Sequence, residues 1–293
     1  MAAVTGESIF FSSNDGLRLH ARCYGARASA VTPVVCLPGL TRTAADFEVL
    51  AERLSAAGRR VIALDYRGRG LSAYDPNPAN YNVRAELGDV LTVLDALNVR
   101  SAVFIGTSRG GILTMLLATV RPQVVAAAIL NDIGPVIDLP GLLRIQSYVG
   151  RLPAPQDYAD GARILRGLFA AQFPMVSQEG WLASACRTFK EDDGRLVPTY
   201  DVKIADTLKD IGPETLVPDL WQQFDALAQV PVMVIRGARS DLLSAATVEA
   251  MNARHPDLRV VEVADQGHTP LLEDEPTLAA IARFVNAIAS EAR

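Results

Sequence analysis

A serine between small residues at fixed spacing, Gly106-Thr107-Ser108-Arg109-Gly110, is the stretch whose residue types point most directly to chemistry. A hydroxyl becomes a useful nucleophile when a base takes its proton, and G-x-S-x-G suits that role when a strand runs into it and a helix leaves it. Both flanks have this form. Ala102-Val103-Phe104-Ile105 reads as a buried strand, and an apolar helical run follows from Ile112. Glycines two before and two after the serine let strand and helix approach closely, so the turn stays tight and the hydroxyl stands clear of the backbone. The unsatisfied N–H groups of the helix start, Arg109 N–H first, then lie where an oxyanion would develop.

Such a serine needs a base, and the chain has three histidines. His20 falls in an early strand and reads as structural, and His255 sits in the polar turn Arg254-His255-Pro256-Asp257. His268 lies in Gln266-Gly267-His268-Thr269-Pro270, a loop just after the last expected strand. A loop there can bring Nε2 to the serine and leave Nδ1 for a carboxylate. The glycines of Gly68-Arg69-Gly70-Leu71-Ser72 do not make a phosphate cradle, since no GxGxxG is completed and no Gly-Lys-Ser/Thr follows.

The elements that must position these groups alternate along the chain. Ser8 to Ser12 and Leu17 to Tyr24 form an expected hairpin turning at Asn14-Asp15-Gly16. Val31 to Leu37 reads as a buried parallel strand, a helix around Phe47, Leu50 and Leu54 ends at Gly58, and Val61 to Leu64 is the next strand. A helix from about Val83 to Leu97 leads to the strand before Ser108. Strands at Val124 to Leu130, Val232 to Ile235 and Val260 to Val263 follow, then a helix from about Pro276 to Ala289. This is the pattern of a doubly wound α/β domain with a mostly parallel twisted sheet flanked by helices. Between Asp132 and Val230 no clear buried strand appears, and amphipathic pieces such as Ala162 to Ala171 alternate with proline-bearing linkers. A structureless loop of that length is improbable in a compact domain, so the expectation is a mostly helical cap, 135–227, inserted after the sixth strand, with the core formed by 1–134 and 228–293. Rooted at the strand ends, it would cover the crevice where open α/β sheets bind ligands.

The 293 residues are 49% hydrophobic and 21% charged, enough to bury a sizeable core. A net charge of -5 leaves no basic footprint for nucleic acid. The opening MAAVTGESIFF lacks a basic segment followed by an apolar run, and no stretch reaches membrane-span length, so the expectation is a cytoplasmic protein acting on a small molecule. Cys23, Cys36 and Cys186 are an odd number without metal-ligand spacing, which argues against a disulfide framework and a zinc site. Nothing in the sequence fixes the oligomeric state.

The stretches VVCLPGLTRT (34–43), DYRGRGLS (65–72), FIGTSRGG (104–111), RGARSDLLS (236–244) and QGHTP (266–270) occur in the order found in the α/β-hydrolase superfamily, and over nearly its whole length the chain resembles that superfamily. It is most similar to capped, esterase-type members related to lactonases, C–C-bond hydrolases and proline iminopeptidases. Dehalogenases and epoxide hydrolases of this fold carry an aspartate where this chain has Ser108. The resemblance implies a Ser108, Asp241, His268 triad in the fold's usual order. Asp132, at the end of the strand before the insertion, is the alternative acid, because some relatives carry it there; its other reading is a cap or turn residue. It also implies Leu40 N–H as the second oxyanion donor beside Arg109 N–H. Relatives commonly have His-Gly where this chain has Pro38-Gly39, and the donor, being main chain, survives the change.

These parts describe a serine-dependent hydrolase of carboxylic esters or related acyl compounds, without metal or organic cofactor. The same triad serves C–C hydrolysis, lactone opening or perhydrolase and haloperoxidase-like chemistry, and some members of the fold only bind ligands. Arg42 and Arg109 start close to the reacting carbonyl, and an arginine fork there could recognise a substrate carboxylate. The competing reading pairs Arg109 with Asp46 or Glu48 and turns Arg42 to solvent. Tyr148, Trp181 and Trp221 are candidate pocket walls, with Phe169, Phe173, Phe189 and Tyr200 as further aromatics of the insertion.

Overall fold

Eight strands join into a single sheet, with helices between most of those after the third. The structure is a computed structural model and describes residues 6–27 and 31–288. The strands are β1 (Glu7–Ser12), β2 (Arg18–Tyr24), β3 (Val34–Leu37), β4 (Val61–Asp65), β5 (Ala102–Thr107), β6 (Val125–Asn131), β9 (Val232–Gly237) and β10 (Leu258–Val263), with a separate hairpin of β7 (Phe189–Asp192) and β8 (Arg195–Pro198). Their order in the sheet is β1-β2-β4-β3-β5-β6-β9-β10. The opening hairpin and β2 beside β4 are antiparallel, and the remaining pairs are parallel.

Parallel strands covered on both faces need apolar side chains on both, and β3 and β5 are buried at every residue. Val35 and Leu37 point into a core covered by α2 (Val83–Ala96), α3 (Arg109–Val120) and α8 (Ala245–Arg254). Val34 and Cys36 point the other way, toward α1 (Glu48–Ala56) and α9 (Glu275–Ala287). Each expected element of the core is present, with ends moved by a few residues. Ala289, the expected end of the last helix, and Met1 to Thr5 at the chain start lie outside the described residues.

Between β6 and β9 the chain leaves the sheet and forms α4 (Leu139–Tyr148), α5 (Tyr158–Phe169), α6 (Gln178–Thr188), the β7–β8 hairpin, a 3-10 helix (Val202–Leu208) and α7 (Trp221–Asp225). The insertion is mostly helical, as expected, and adds a short hairpin that is largely outside the core. Its turn is Asp193-Gly194, both at positive φ (48° and 70°), a combination that matches strand twist and marks a tight hairpin in sequence. Ala162, Leu165, Trp181, Ala185, Phe189 and Leu196 give this segment a small core of its own.

Parallel β3 and β5 end side by side, and α3 crosses directly over them. A Cβ on Gly110 would lie 2.0 Å from the Leu37 carbonyl oxygen, and one on Gly106 would lie 2.5 Å from the Gly110 backbone. Replacing Gly110 with Ala should therefore force backbone apart and cost about 1–3 kcal/mol or more. In contrast, Gly88 sits mid-helix in α2 with nothing within 4 Å of where a methyl would stand, and Gly88→Ala should stabilise by about 0.5–1 kcal/mol. Urea denaturation of both variants checks the pair; equal midpoints would refute the close approach.

Candidate functional site

Ser108 occupies the corner between β5 and α3 with φ 50° and ψ -110°, a conformation that L-residues rarely adopt. The corner is held on both sides. Ser108 N–H donates to the Asn131 carbonyl (2.9 Å), and the Ser108 carbonyl accepts from Gly111 N–H (2.9 Å) and Ile112 N–H (3.2 Å). The hydroxyl therefore points away from the sheet, and His268 Nε2 meets it at 3.0 Å. His268 follows β10, as its place in the sequence implied.

The carboxylate on the other ring nitrogen is Asp132, whose Oδ2 lies 2.8 Å from His268 Nδ1. Asp132 is fully buried and accepts two further hydrogen bonds, from Gly237 N–H (2.7 Å) and the Ser240 hydroxyl (2.5 Å). Three donors fix an acceptor-only group in one orientation, and so fix the imidazole with Nδ1 as donor and Nε2 as acceptor toward Ser108. Ser240 was not anticipated from sequence, where a serine beside Asp241 carries no distinguishing signal.

Asp241 does not reach His268; the expectation that it would is corrected. Its carboxylate is held by Arg144 of α4 at 2.5 and 2.8 Å, while its carbonyl accepts from Gly141 N–H at 3.0 Å. The reason lies in the sheet. β6 sits between β5 and β9, so Asp132, directly after β6, emerges beside the serine corner, whereas Asp241 comes after a turn that carries it toward the insertion. Although partial burial opposes its ionisation, the Arg144 guanidinium holds the Asp241 carboxyl below the usual range. This pair fastens the insertion to the loop after β9.

Leu40 and Arg109, the expected oxyanion donors, stand on either side of the corner, after β3 and at the first position of α3. Among the described residues, neither main-chain N–H is paired with a backbone acceptor. The Arg109 side chain turns away from the cavity to Glu86 of α2, with Nε 2.7 Å from Oε2, rather than to Asp46 or Glu48.

Above Ser108 and His268 lies a cavity of about 170 Å³ whose floor includes Leu40, Ser108 and His268 and whose upper wall comes from the insertion. Tyr148 and Trp181 line it, as do Phe169, Phe173 and Tyr200. Trp221 does not. It packs edge-on to Phe224 and under the Arg254 guanidinium, so its place among the pocket residues is corrected. Phe189 is likewise buried in the small core of the insertion. Arg42 lines the cavity with its side chain still partly exposed, and its guanidinium is engaged by both Asp46 oxygens and by the Thr188 hydroxyl at 3.2 Å. Nearby, Arg187 meets Glu273 at 2.8 Å, and burial pushes the Glu273 carboxyl above its usual range. Two arginines thus face two carboxylates, and the wall carries little net charge.

The other histidines are structural. His20 Nδ1 bonds Asp65 (2.7 Å), whose carboxylate also takes Ala44 N–H (2.7 Å) and Leu71 N–H (3.0 Å), so the glycine turn at 68–72 is filled by the protein's own carboxylate. His255 accepts from Asp257 N–H at Nδ1 and faces the Leu227 carbonyl with Nε2. No helix among the described residues is long and apolar enough to cross a membrane.

Known proteins resemble the chain over most of its length. The family model described as alpha/beta hydrolase fold matches residues 32–275. A 3-hydroxybutyrate-oligomer hydrolase of Cupriavidus necator is 33% identical over 91% of this chain and 93% of its own. A 2-(acetamidomethylene)succinate hydrolase of Mesorhizobium japonicum is 28% identical over 85% of this chain and 86% of its own. The crystal structure of an alpha/beta hydrolase from Novosphingobium aromaticivorans superposes with a TM-score of 0.91 at 40% identity, covering 97% of this chain and 99% of that one.

The two aspartates make opposite predictions for the His268 ring. A hydrogen-bonded Nδ1–H proton should give a downfield NMR resonance that disappears in Asp132→Asn and persists in Asp241→Asn. Persistence in Asp132→Asn with loss in Asp241→Asn would transfer the orienting contact to Asp241.

Proposed function

The chain belongs to the alpha/beta-hydrolase fold family, and from that premise we propose that it is a serine-dependent hydrolase of carboxylic esters acting through an acyl-enzyme on Ser108. The observation that carries this reading is the 3.0 Å approach of His268 Nε2 to the Ser108 hydroxyl, on a ring whose other nitrogen is held by buried Asp132. His268 takes the serine proton as the oxygen attacks the acyl carbonyl, and the Leu40 and Arg109 N–H groups receive the oxyanion. The same proton then goes to the leaving alcohol. Water, deprotonated by His268, attacks the acyl-enzyme, and Ser108 recovers its proton as the acid departs. Asp132, hydrogen-bonded to Nδ1, stabilises the imidazolium formed in each half.

The insertion serves as the cap. It supplies the aromatic upper wall, so an acyl group of modest size meets apolar surface while water is excluded from the oxyanion. An ester is favoured as the bond because the relative named for 3-hydroxybutyrate oligomers aligns over nine-tenths of both chains, and hydroxy-acid oligomers are joined by esters. The balanced charges of the cavity wall leave Arg42 as a cap contact more than as a free carboxylate receptor.

Turnover of p-nitrophenyl butyrate and of the linear 3-hydroxybutyrate dimer tests the reading. Ser108→Ala should lose about 10⁴- to 10⁶-fold in kcat on both. Retention of a tenth of the wild-type rate would sink the serine mechanism. Arg42→Gln should change KM for the dimer and for its neutral methyl ester by the same factor; a loss confined to the carboxylate form would restore Arg42 as an anion receptor.

A further inference from the structure

Three charged side chains behind the serine corner are not used by the chemistry above. Arg69 and Glu86 are both wholly buried, at 0% side-chain exposure, and Arg109 is 16% exposed. Glu86 Oε2 accepts from Arg109 Nε at 2.7 Å. Its Oε1 forms an ion pair with Arg69 Nη2 at 2.9 Å. Arg69 Nε donates to the Leu40 carbonyl at 2.8 Å and its Nη1 to the Arg67 carbonyl at 2.7 Å. Its guanidinium also lies between the rings of Tyr66 and Tyr81, at 5.8 and 5.7 Å.

Burying such a group is a poor way to gain stability. Desolvating charges costs more than a well-packed apolar replacement would, and two arginines with one glutamate leave the cluster with an unbalanced positive charge. Burial opposes ionisation of Glu86, yet the two guanidinium groups hold its carboxyl below the usual range. What the cluster touches is informative. One end grips the carbonyl of Leu40, and the other end is the side chain of Arg109. These are the two residues whose main-chain N–H groups receive the oxyanion in the proposed mechanism. The turn after β3 and the start of α3 belong to different segments of the chain, and a donor pair drawn from both needs something that fixes their separation.

We propose that Arg69 and Glu86 are positioning residues of the oxyanion site: the chain Leu40 carbonyl, Arg69, Glu86, Arg109 sets the two donors at one spacing, and its surplus positive charge lies behind them. The inference rests on the serine mechanism proposed above. An oxyanion exists in the transition state and not in the bound ester, so the cluster acts on kcat and leaves substrate binding nearly unchanged.

A trifluoromethyl ketone tests it, because its adduct with Ser108 carries the oxyanion while a simple alkyl ketone of the same shape reports ground-state fit. In Glu86→Gln and Arg69→Met, kcat for p-nitrophenyl butyrate should fall about ten- to a hundredfold, below the loss expected for deleting a donor outright. KM and alkyl-ketone affinity should change little, and trifluoromethyl-ketone affinity should weaken by the same factor as kcat/KM. Arg69→Lys, which keeps the charge but not the fork, should recover part of the loss. Arg109→Met, altering a partly exposed side chain, should fold in any case and show a smaller loss of the same kind. Undiminished trifluoromethyl-ketone affinity in the folded variants, or kcat within twofold of wild type in both Glu86→Gln and Arg69→Met, would overturn the proposal. Absence of any Ser108 adduct in the wild-type protein would instead strike the serine mechanism itself.

Discussion

The close approach of α3 to the ends of β3 and β5 is the constraint on which the site depends. At Gly110 the helix meets the Leu37 carbonyl with no room for a side chain, and Gly106 faces the helix backbone in the same way. Ser108 is thereby forced to positive φ, a strain of about 1–3 kcal/mol that surrounding hydrogen bonds must hold. The bonds from Ser108 N–H to Asn131 and from Gly111 and Ile112 to the Ser108 carbonyl do this. Because Asn131 ends β6, the bond that fixes the serine also sets the place of Asp132, the next residue. Serine and carboxylate are therefore positioned by one junction of parallel strands, and only His268 must arrive from a loop.

The serine corner and His268 were legible in sequence because each depends on local pattern: glycines flanking a serine between strand and helix, and a histidine just beyond the last strand. The acid was not. Asp132 and Asp241 both lie between the serine and the histidine, and both follow strands that are neighbours in the sheet, so order along the chain cannot separate them. What separates them is pairing. Asp132 meets Gly237, Ser240 and His268, whereas Asp241 is taken by Arg144 from a helix of the insertion. The β7–β8 hairpin did carry a local signal, Asp193-Gly194, which the polar flanks Glu191, Asp192 and Arg195 masked. Trp221 was misplaced for a different reason. An aromatic in a short helix has no sequence feature that tells a cavity wall from a packing contact, and here Phe224 and Arg254 claim it.

Charged side chains around the site are gathered into clusters. Arg67 is surrounded by Asp15, Asp75 and Asp89 in the turn after β4, and Arg42 and Arg187 are matched by Asp46 and Glu273 at the cavity wall. The Arg187 pairs and the Arg42 contact to Thr188 join the insertion to the core, as Arg144 and Asp241 do on another side. Hydrogen bonds from Gly70 N–H to the Thr199 carbonyl and from the Tyr81 hydroxyl to Asp201 add further ties. An upper wall fastened at several points holds the shape of the cavity above Ser108.

The central proposal is that an ester is cut through a covalent acyl-enzyme on Ser108. Acid quenching during steady-state turnover of p-nitrophenyl butyrate, followed by peptide mass spectrometry, tests it most directly. The serine mechanism predicts a butyryl mass increment on the peptide that contains Ser108, absent in Ser108→Ala. Full turnover with an unmodified Ser108 peptide at every quench time, together with hydrolysis retained by Ser108→Ala, would contradict it.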